Sequence, residues 1–301
     1  MKNTLFIYNP NSGQQTINDN LSEIINYLSQ NEYLTTIYAT QQSGDGALLI
    51  ENCGKNFGEI IVAGGDGTLD EIVAAVCKEN LDPLISYIPT GSTNDFSKSL
   101  NIPEDVEQAT KLIISGKEKK IDVGAIDDKY FVYVAAFGAL SDISFSTDQG
   151  VKNIFGRSAY IFEGLKQTLP LSNMPTYKMK VSVDGEEISG EFIHFMVTNS
   201  VSVGGFTGIT GDNVGLSDGV FELTMVKAPK SLADLNKIVS GLTNGEENEM
   251  LILRKGSDFK ISTEEEVSWS LDGEFGGSSK NSQIKILKEK IRMKVGSSKK
   301  A

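Results

Sequence analysis

Residues 59–76 read Glu59-Ile60-Ile61-Val62-Ala63-Gly64-Gly65-Asp66-Gly67-Thr68-Leu69-Asp70-Glu71-Ile72-Val73-Ala74-Ala75-Val76. The apolar run Glu59–Ala63 predicts a buried strand, and Leu69, Ile72, Val73 and Val76 recur at helical spacing, which predicts a helix over Leu69–Val76. The five residues between them join a strand to a helix N-terminus. Glycines there let the backbone approach a phosphate, consecutive N–H groups form an anion-binding concavity, and the helix dipole favours negative charge. Asp66 is the odd member, because a carboxylate repels phosphate unless a metal, water or a lysine intervenes. Its presence points to a metal-nucleotide or a transferring phosphoryl group. Taken alone, a glycine-rich turn with an Asp helix cap accounts for the segment equally well.

Working outward, strands and helices alternate through about residue 115. Strands are expected at Leu5–Tyr8, Thr35–Ala39 and Leu84–Ile88, and helices at Ile17–Leu28 and Ser43–Asn52. Such alternation signals an open parallel sheet, in which ligands bind at the carboxyl ends of strands. Two further strand ends have the right chemistry. Asn9-Pro10-Asn11-Ser12-Gly13 is a polar, glycine-containing turn before a helix, and Pro89-Thr90-Gly91-Ser92-Thr93-Asn94-Asp95-Phe96 offers hydroxyls and backbone donors, with Asn94 or Asp95 as a helix cap. Three such loops on one sheet favour a shared nucleotide site. Neither GxxxxGK[ST] nor GxGxxG occurs, which disfavours a Walker-type ATPase and a dinucleotide Rossmann enzyme.

After Lys120 the texture changes to strand-like runs bounded by turn residues: Ile121–Ile126, Tyr130–Phe137, Tyr177–Val183, Glu191–Thr198, Val220–Val226, Phe259–Ser262, Val267–Leu271, Gln283–Leu287 and Lys290–Val295. Helices are expected at Ile154–Leu169 and Leu232–Leu242. The expected fold class is therefore α/β plus β: an N-terminal open parallel-sheet nucleotide-binding domain, residues 1–121, and a C-terminal antiparallel β-sandwich, residues 122–289; the last strands could finish the sandwich or return to the first domain, and the return of 290–301 is what the family resemblance below implies. In the second domain Asp272-Gly273-Glu274 ends a strand; it reads as a hairpin turn or as a carboxylate accepting a proton from a substrate hydroxyl. The turn Gly215–Val220 combines Asp218 with bent carbonyls, a composition suited to a hard cation and also common in ordinary turns.

Composition narrows the function. The chain has 301 residues, a formal charge of −12 and an isoelectric point near 4.7, which argues against nucleic acid as a partner. Cys53 and Cys77 have no ligand-like spacing to His194, so disulfide scaffolds and structural zinc are not expected. His194 lies within the apolar run Phe192–Val197 and reads as a packed residue. No signal-like N-terminus is seen and no apolar stretch reaches about 18 residues, so the expected location is cytoplasmic, with no transmembrane segment. Lys117, Lys119 and Lys120 form a basic cluster that would suit anionic headgroups, although charge runs of this kind are more often simply solvated.

Together these blocks resemble the diacylglycerol kinase catalytic-domain family, in particular bacterial soluble lipid kinases. The resemblance rests on Asn9-Pro10 with Ser12-Gly13, Gly64–Thr68, Pro89–Phe96, Asp218-Gly219 and Asp272-Gly273-Glu274, in family order over essentially the whole chain. It implies a first domain like that of NAD kinases, which binds ATP, and a second domain that contributes the lipid side. Nucleotide contacts are implied at Asn9, Pro10, Asn11, Ser12, Gly13, Thr40, Gly64, Gly65, Asp66, Gly67, Thr68, Leu69, Asp70 and Ser92, with Asp95 in support. Glu274 is implied as general base, with Asp66 and Asp272 as further catalytic residues and Mg²⁺ accompanying ATP. A structural Mg²⁺ is implied at Asp218 with the carbonyls of Gly215 and Val220. The implied reaction is phosphoryl transfer to a lipid hydroxyl, first of all that of diacylglycerol, by an enzyme touching the inner face of the membrane; a homodimer is compatible with this. Gln14 stands where relatives often have lysine, Asp70 where they usually have Asn, Ser92 for threonine and Lys98 for arginine. NAD kinases share the GGDGT loop, but their Asn-Glu-(hydrophobic)-Asp-type motif is absent here. A non-catalytic descendant would have to explain why Asp66 and Glu274 are both kept.

Overall fold

The computed structural model describes residues 1–13, 16–139, 174–200, 202–203, 206–207 and 215–297. The expected helix at Ile154–Leu169, Gln14 and most of the glycine-rich segment Val201–Gly211 lie outside the described residues. Contacts divide the chain into Met1–Val123 with Glu289–Ala301, and Gly124–Lys288.

The first unit holds strands β1 (Lys2–Tyr8), β2 (Tyr33–Ala39), β3 (Glu59–Gly64) and β4 (Leu84–Pro89). Its helices are α1 (Thr16–Gln30), α2 (Asp45–Cys53), α3 (Asp66–Lys78), α4 (Asp95–Ser99) and α5 (Val106–Ser115). The strands pair in parallel in the order β4-β3-β1-β2. The chain end, in the strand Glu274–Val295, lies parallel to β4 through Arg292–Leu84 and Met293–Ile85. β3 and β4 are buried along their whole length, as expected of strands whose sheet is covered on both faces by helices, and polar side chains of the two strands pair in the interior, Ser86 Oγ donating to Glu59 Oε1 at 2.9 Å. Leu69, Ile72, Val73 and Val76 of α3 are at most 1% exposed, each contributing about 2 kcal/mol through burial. From β1 the chain first moves outward to β2 and then returns to the other side for β3 and β4. The order therefore reverses between β1 and β3, the position at which open α/β sheets bind ligands.

Helix α3 starts at Asp66, three residues before the expected Leu69. Gly65 is its N-cap, and the amides of Thr68 and Leu69 already donate to the Gly65 carbonyl. Asp66, Gly67 and Thr68 are thus the first helical turn. Their polarity hides them from a periodicity reading.

The second unit contains β6 (Lys129–Phe131), β7 (Val134–Gly138), β8 (Tyr177–Val183), β9 (Glu186–Thr198), the short pair β10 (Ser202–Val203) and β11 (Phe206–Thr207), β12 (Phe221–Lys227), β13 (Leu251–Gly256), β14 (Asp258–Leu271) and α6 (Leu232–Asn244). Strand β5 (Lys117–Ile126) and strand β15 (Glu274–Val295) each begin in one unit and end in the other. Pairing within the second unit is antiparallel. The long strands β9 and β14 each pair with both β7 and β8, so the four strands close on themselves. Phe131, Phe137, Phe192, Phe195, Phe221 and Trp269 are among its core residues. Phe137 stacks on Phe195 at 5.2 Å between ring centroids and meets the edge of Trp269 at 4.9 Å.

The expected pairs Phe259–Ser262 with Val267–Leu271, and Gln283–Leu287 with Lys290–Val295, are single strands, β14 and β15; a register shift between Ser262 and Val267 accommodates the polar Thr263–Glu266 insert. Conversely, Tyr130–Phe137 is two strands, because Val132 and Tyr133 turn their amides to a distant carboxylate described below.

His194, in β9, is 2% exposed, and burial pushes its imidazole down to about 4. Its folded value lies below the ordinary 6.5 of the unfolded chain, so unfolding takes up a proton between these limits and stability falls as pH drops through that window. It is the only histidine. At pH 5 the expected loss relative to pH 7.5 is about 2 kcal/mol. Urea titrations of wild type and His194→Gln should show that loss shrinking in the variant.

Candidate functional site

Three loops of the first unit meet at the C-terminal ends of β1, β3 and β4. Hydrogen bonds continue past the strands: Asn9 N–H donates to Ala63 O at 2.9 Å, Thr90 N–H to Gly64 O at 2.8 Å and Thr40 N–H to Tyr8 O at 2.9 Å. The first loop folds on its own side chain, as Asn11 N–H donates to Asn9 Oδ1 at 2.9 Å and Ser12 N–H to Asn9 O at 3.2 Å. That closes a short Asx-type turn.

Glycine is required where the loops touch one another. Gly13 has φ of +54°, and a Cβ there would lie 2.1 Å from Thr90 O; a Cβ on Gly91 would lie 2.5 Å from Gly65 Cα. These are backbone contacts, so no rotamer change relieves them. The glycines expected to admit a phosphate also admit the neighbouring loop.

Asp66 carries the connection between the second and third loops. Its carboxylate accepts from Asp95 N–H at 3.0 Å and from Phe96 N–H at 3.4 Å, and so caps α4. The expected cap by Asn94 or Asp95 is not what forms. Asn94 occupies the N-cap position in the left-handed region, but its side chain accepts from Gly91 N–H and donates to Gly91 O, both at 2.9 Å. Asp95 is buried and reaches Lys98 Nζ at 3.2 Å. Tyr87, which no motif singled out, closes the group from beneath: its hydroxyl lies 3.1 Å from Gly64 O and 3.4 Å from Asn94 Oδ1. Burial, with the charge of Asp66 nearby, pushes the Tyr87 phenol well above its ordinary range, so it remains a neutral donor.

The other residues expected to contact nucleotide divide. Pro10, Asn11, Gly64, Gly67, Thr68, Asp70 and the exposed Ser92 belong to these loops or the first turns of α3. Thr40 is at the end of β2, its hydroxyl 3.4 Å from Tyr8 O. Leu69 is 1% exposed and its amide is engaged by Gly65, so its side chain is core.

In the second unit Asp272 and Glu274, expected as a catalytic pair, have different surroundings. Asp272 and Gly273 have φ of +49° and +89°, and Leu271 pairs with Glu274, which makes a two-residue hairpin between β14 and β15. The Asp272 carboxylate is buried and accepts from the amides of Val132 at 2.5 Å, Tyr133 at 3.0 Å and Val134 at 2.7 Å. This breaks the run Tyr130–Phe137 into β6 and β7. Glu274 is exposed, and next to it Phe275 is 66% exposed.

At the third expected position, Val220 N–H donates to Asp218 Oδ1 at 3.2 Å. A Cβ on Gly215 would lie 2.2 Å from Asp218 Oδ2, so only glycine lets the carboxylate fold back over its own turn. One carboxylate with nearby backbone oxygens suits a hard cation. Among the described residues no three His, Cys, Asp or Glu side chains are grouped as a metal cluster.

Removing the Asp272 carboxylate would leave three amides unpaired in a buried turn. Asp272→Ala is expected to cost roughly 3 kcal/mol or more in urea unfolding, whereas Glu274→Ala, at an exposed carboxylate, should stay within about 0.5 kcal/mol of wild type.

Residues 3–126 match the family model described as diacylglycerol kinase catalytic domain. The diacylglycerol kinase of Bacillus subtilis (strain 168) is 34% identical over 92% of this chain and 91% of its own length, and that of Staphylococcus carnosus (strain TM300) is 32% identical over 92% and 90%. The crystal structure of a diacylglycerol kinase from Bacillus anthracis str. Sterne superposes with a TM-score of 0.77 at 25% identity, covering 98% of this chain and 97% of that one. Another structure from that organism gives a TM-score of 0.84 at 27% identity, over 98% and 95%. By sequence and by fold, the chain belongs to the diacylglycerol kinase family of lipid kinases.

Proposed function

We propose that this enzyme transfers the γ-phosphoryl group of Mg-ATP to the hydroxyl of diacylglycerol, giving phosphatidic acid. The observation that carries the reading is the capping of α4 by Asp66, which joins two strand-end loops beside the strand-order reversal of the first sheet. Triphosphate oxygens would be received by the N-terminus of α3 and by the amides of Gly13 and Gly65, since those of Asn9, Asn11 and Ser12 donate within the protein. Mg²⁺, when bound with the nucleotide, neutralises charge on the β- and γ-phosphates. Asp66, a carboxylate in the first turn of α3, would stand on the metal side of the nucleotide.

Glu274 is the group we assign as general base. It is exposed at the two-residue hairpin, and the acceptor hydroxyl gives up its proton to this carboxylate as its new bond to the γ-phosphorus forms and the bond from that phosphorus to the β–γ bridging oxygen breaks, releasing ADP. Asp272, held by three amides, is a positioning residue for that turn rather than a second base. The exposed ring of Phe275 suits an acceptor with apolar chains. No helix among the described residues is long and apolar enough to cross a membrane, so the lipid would be met at a membrane surface from the water side. The Asp218 turn, with the carbonyls of Gly215 and Val220, is the place for a structural Mg²⁺ that organises the second unit.

Labelled γ-phosphate from Mg-ATP should appear in diacylglycerol offered in mixed micelles, with phosphatidylglycerol, sphingosine and NAD as comparison acceptors. Glu274→Gln should lower kcat by about 10²-fold or more while Mg-ATP still binds. Turnover of that variant at the wild-type rate would remove Glu274 as the base, and label in another acceptor alone would change the substrate.

A further inference from the structure

The loop after β2, Thr40–Ala47, is braced by two carboxylates that no motif pointed to. Asp45 Oδ2 accepts from Gln41 N–H at 2.7 Å and from Gln42 N–H at 3.1 Å. Glu71, in the second turn of α3, accepts from Gly44 N–H at 2.8 Å through one oxygen and from Ala47 N–H at 3.0 Å through the other. The fit is close: Gly44 has φ of +91°, and a Cβ on Gly46 would lie 2.8 Å from Glu71 Oε1 and 2.6 Å from Ile72 Cδ1.

These amides open α2, at the carboxyl end of β2, and β2 is the direct neighbour of β1 in the sheet. An open helix N-terminus carries orphan N–H groups and the positive end of the dipole, and attracts phosphate. At this position it would compete with the loops 9–13 and 64–68. Glu71 closes it from inside the protein.

We propose that Glu71 is a positioning residue that sets the direction in which the nucleotide lies. By occupying the start of α2 it keeps phosphate away from the end of β2. It also holds Thr40–Ala47 as a wall for the uncharged nucleoside, so that the phosphates are received only by the loops after β1 and β3. This rests on the nucleotide reading above, and its specific consequence is a preference for ATP over bare triphosphate.

Calorimetric titration of Mg-ATP and of magnesium tripolyphosphate into wild type, Glu71→Ala and Glu71→Gln tests it. Wild type should bind Mg-ATP more tightly than tripolyphosphate, and Glu71→Ala should reduce that ratio about tenfold, equivalent to about 1.4 kcal/mol. Formate, which fits the vacated carboxylate position, should restore the ratio in Glu71→Ala and leave wild type unchanged. Glu71→Gln, with the same shape and one acceptor oxygen, should fall between the two and carries the comparison if the alanine variant does not fold. An unchanged ratio in the variants, or equal weakening toward both ligands with a lower Tm, would overturn the inference and leave Glu71 a structural brace. Wild type that binds neither ligand would instead overturn the nucleotide reading itself.

Discussion

Two hydrogen bonds that the Asp66 carboxylate accepts from the first amides of α4 hold the candidate site together. Asp66 sits in the first turn of α3, so the cap ties the loop after β3 to the loop after β4. Gly65 and Gly91 can then approach as closely as their missing side chains allow, and Tyr87 fixes Gly64 and Asn94 from beneath. An aspartate in a phosphate loop looks unfavourable in isolation. Here part of its charge is balanced by two amides and the dipole of a second helix. The strand-order reversal chooses where the site lies, and Asp66 gives it a defined shape.

The same device recurs through the chain. Asp272 holds three amides of the β6–β7 break, Glu71 holds two at α2, and Asp184 receives those of Ser257 and Asp258. On the reaction proposed above, a protein with formal charge −12 would receive an anionic nucleotide and face a repulsion problem. Carboxylates engaged by backbone N–H groups are locally compensated, and each such bond is stronger than its neutral counterpart. Acidic residues then shape the loops through the backbone amides they engage.

What could be read in advance follows from how far each signal reaches along the chain. The alternation of β1 to β4 with their helices was legible because apolar residues repeat at periods of two and 3.6. The three strand-end loops were legible from composition. The start of α3 was hidden because its first turn is Asp66-Gly67-Thr68. β13 was missed because Arg254 and Lys255 interrupt an otherwise apolar run. The break in Tyr130–Phe137 was not local at all: its cause, Asp272, is 139 residues from Tyr133. The partners of Asp66 and Glu71 are likewise 29 and 27 residues away for Asp95 and Gly44. Motif residues could be found from the sequence, while the residues that position them appeared only once the chain had folded.

On the proposed reading, the loops after β1, β3 and β4 form one phosphate-binding surface organised by Asp66. The decisive measurement is amide hydrogen exchange of the wild-type chain with and without Mg-ATP. Exchange should slow jointly in residues 9–13, 64–68 and 90–96, and this slowing should be absent in Asp66→Ala. Protection confined to one of these loops, protection elsewhere in the first unit, or full protection in Asp66→Ala would contradict it.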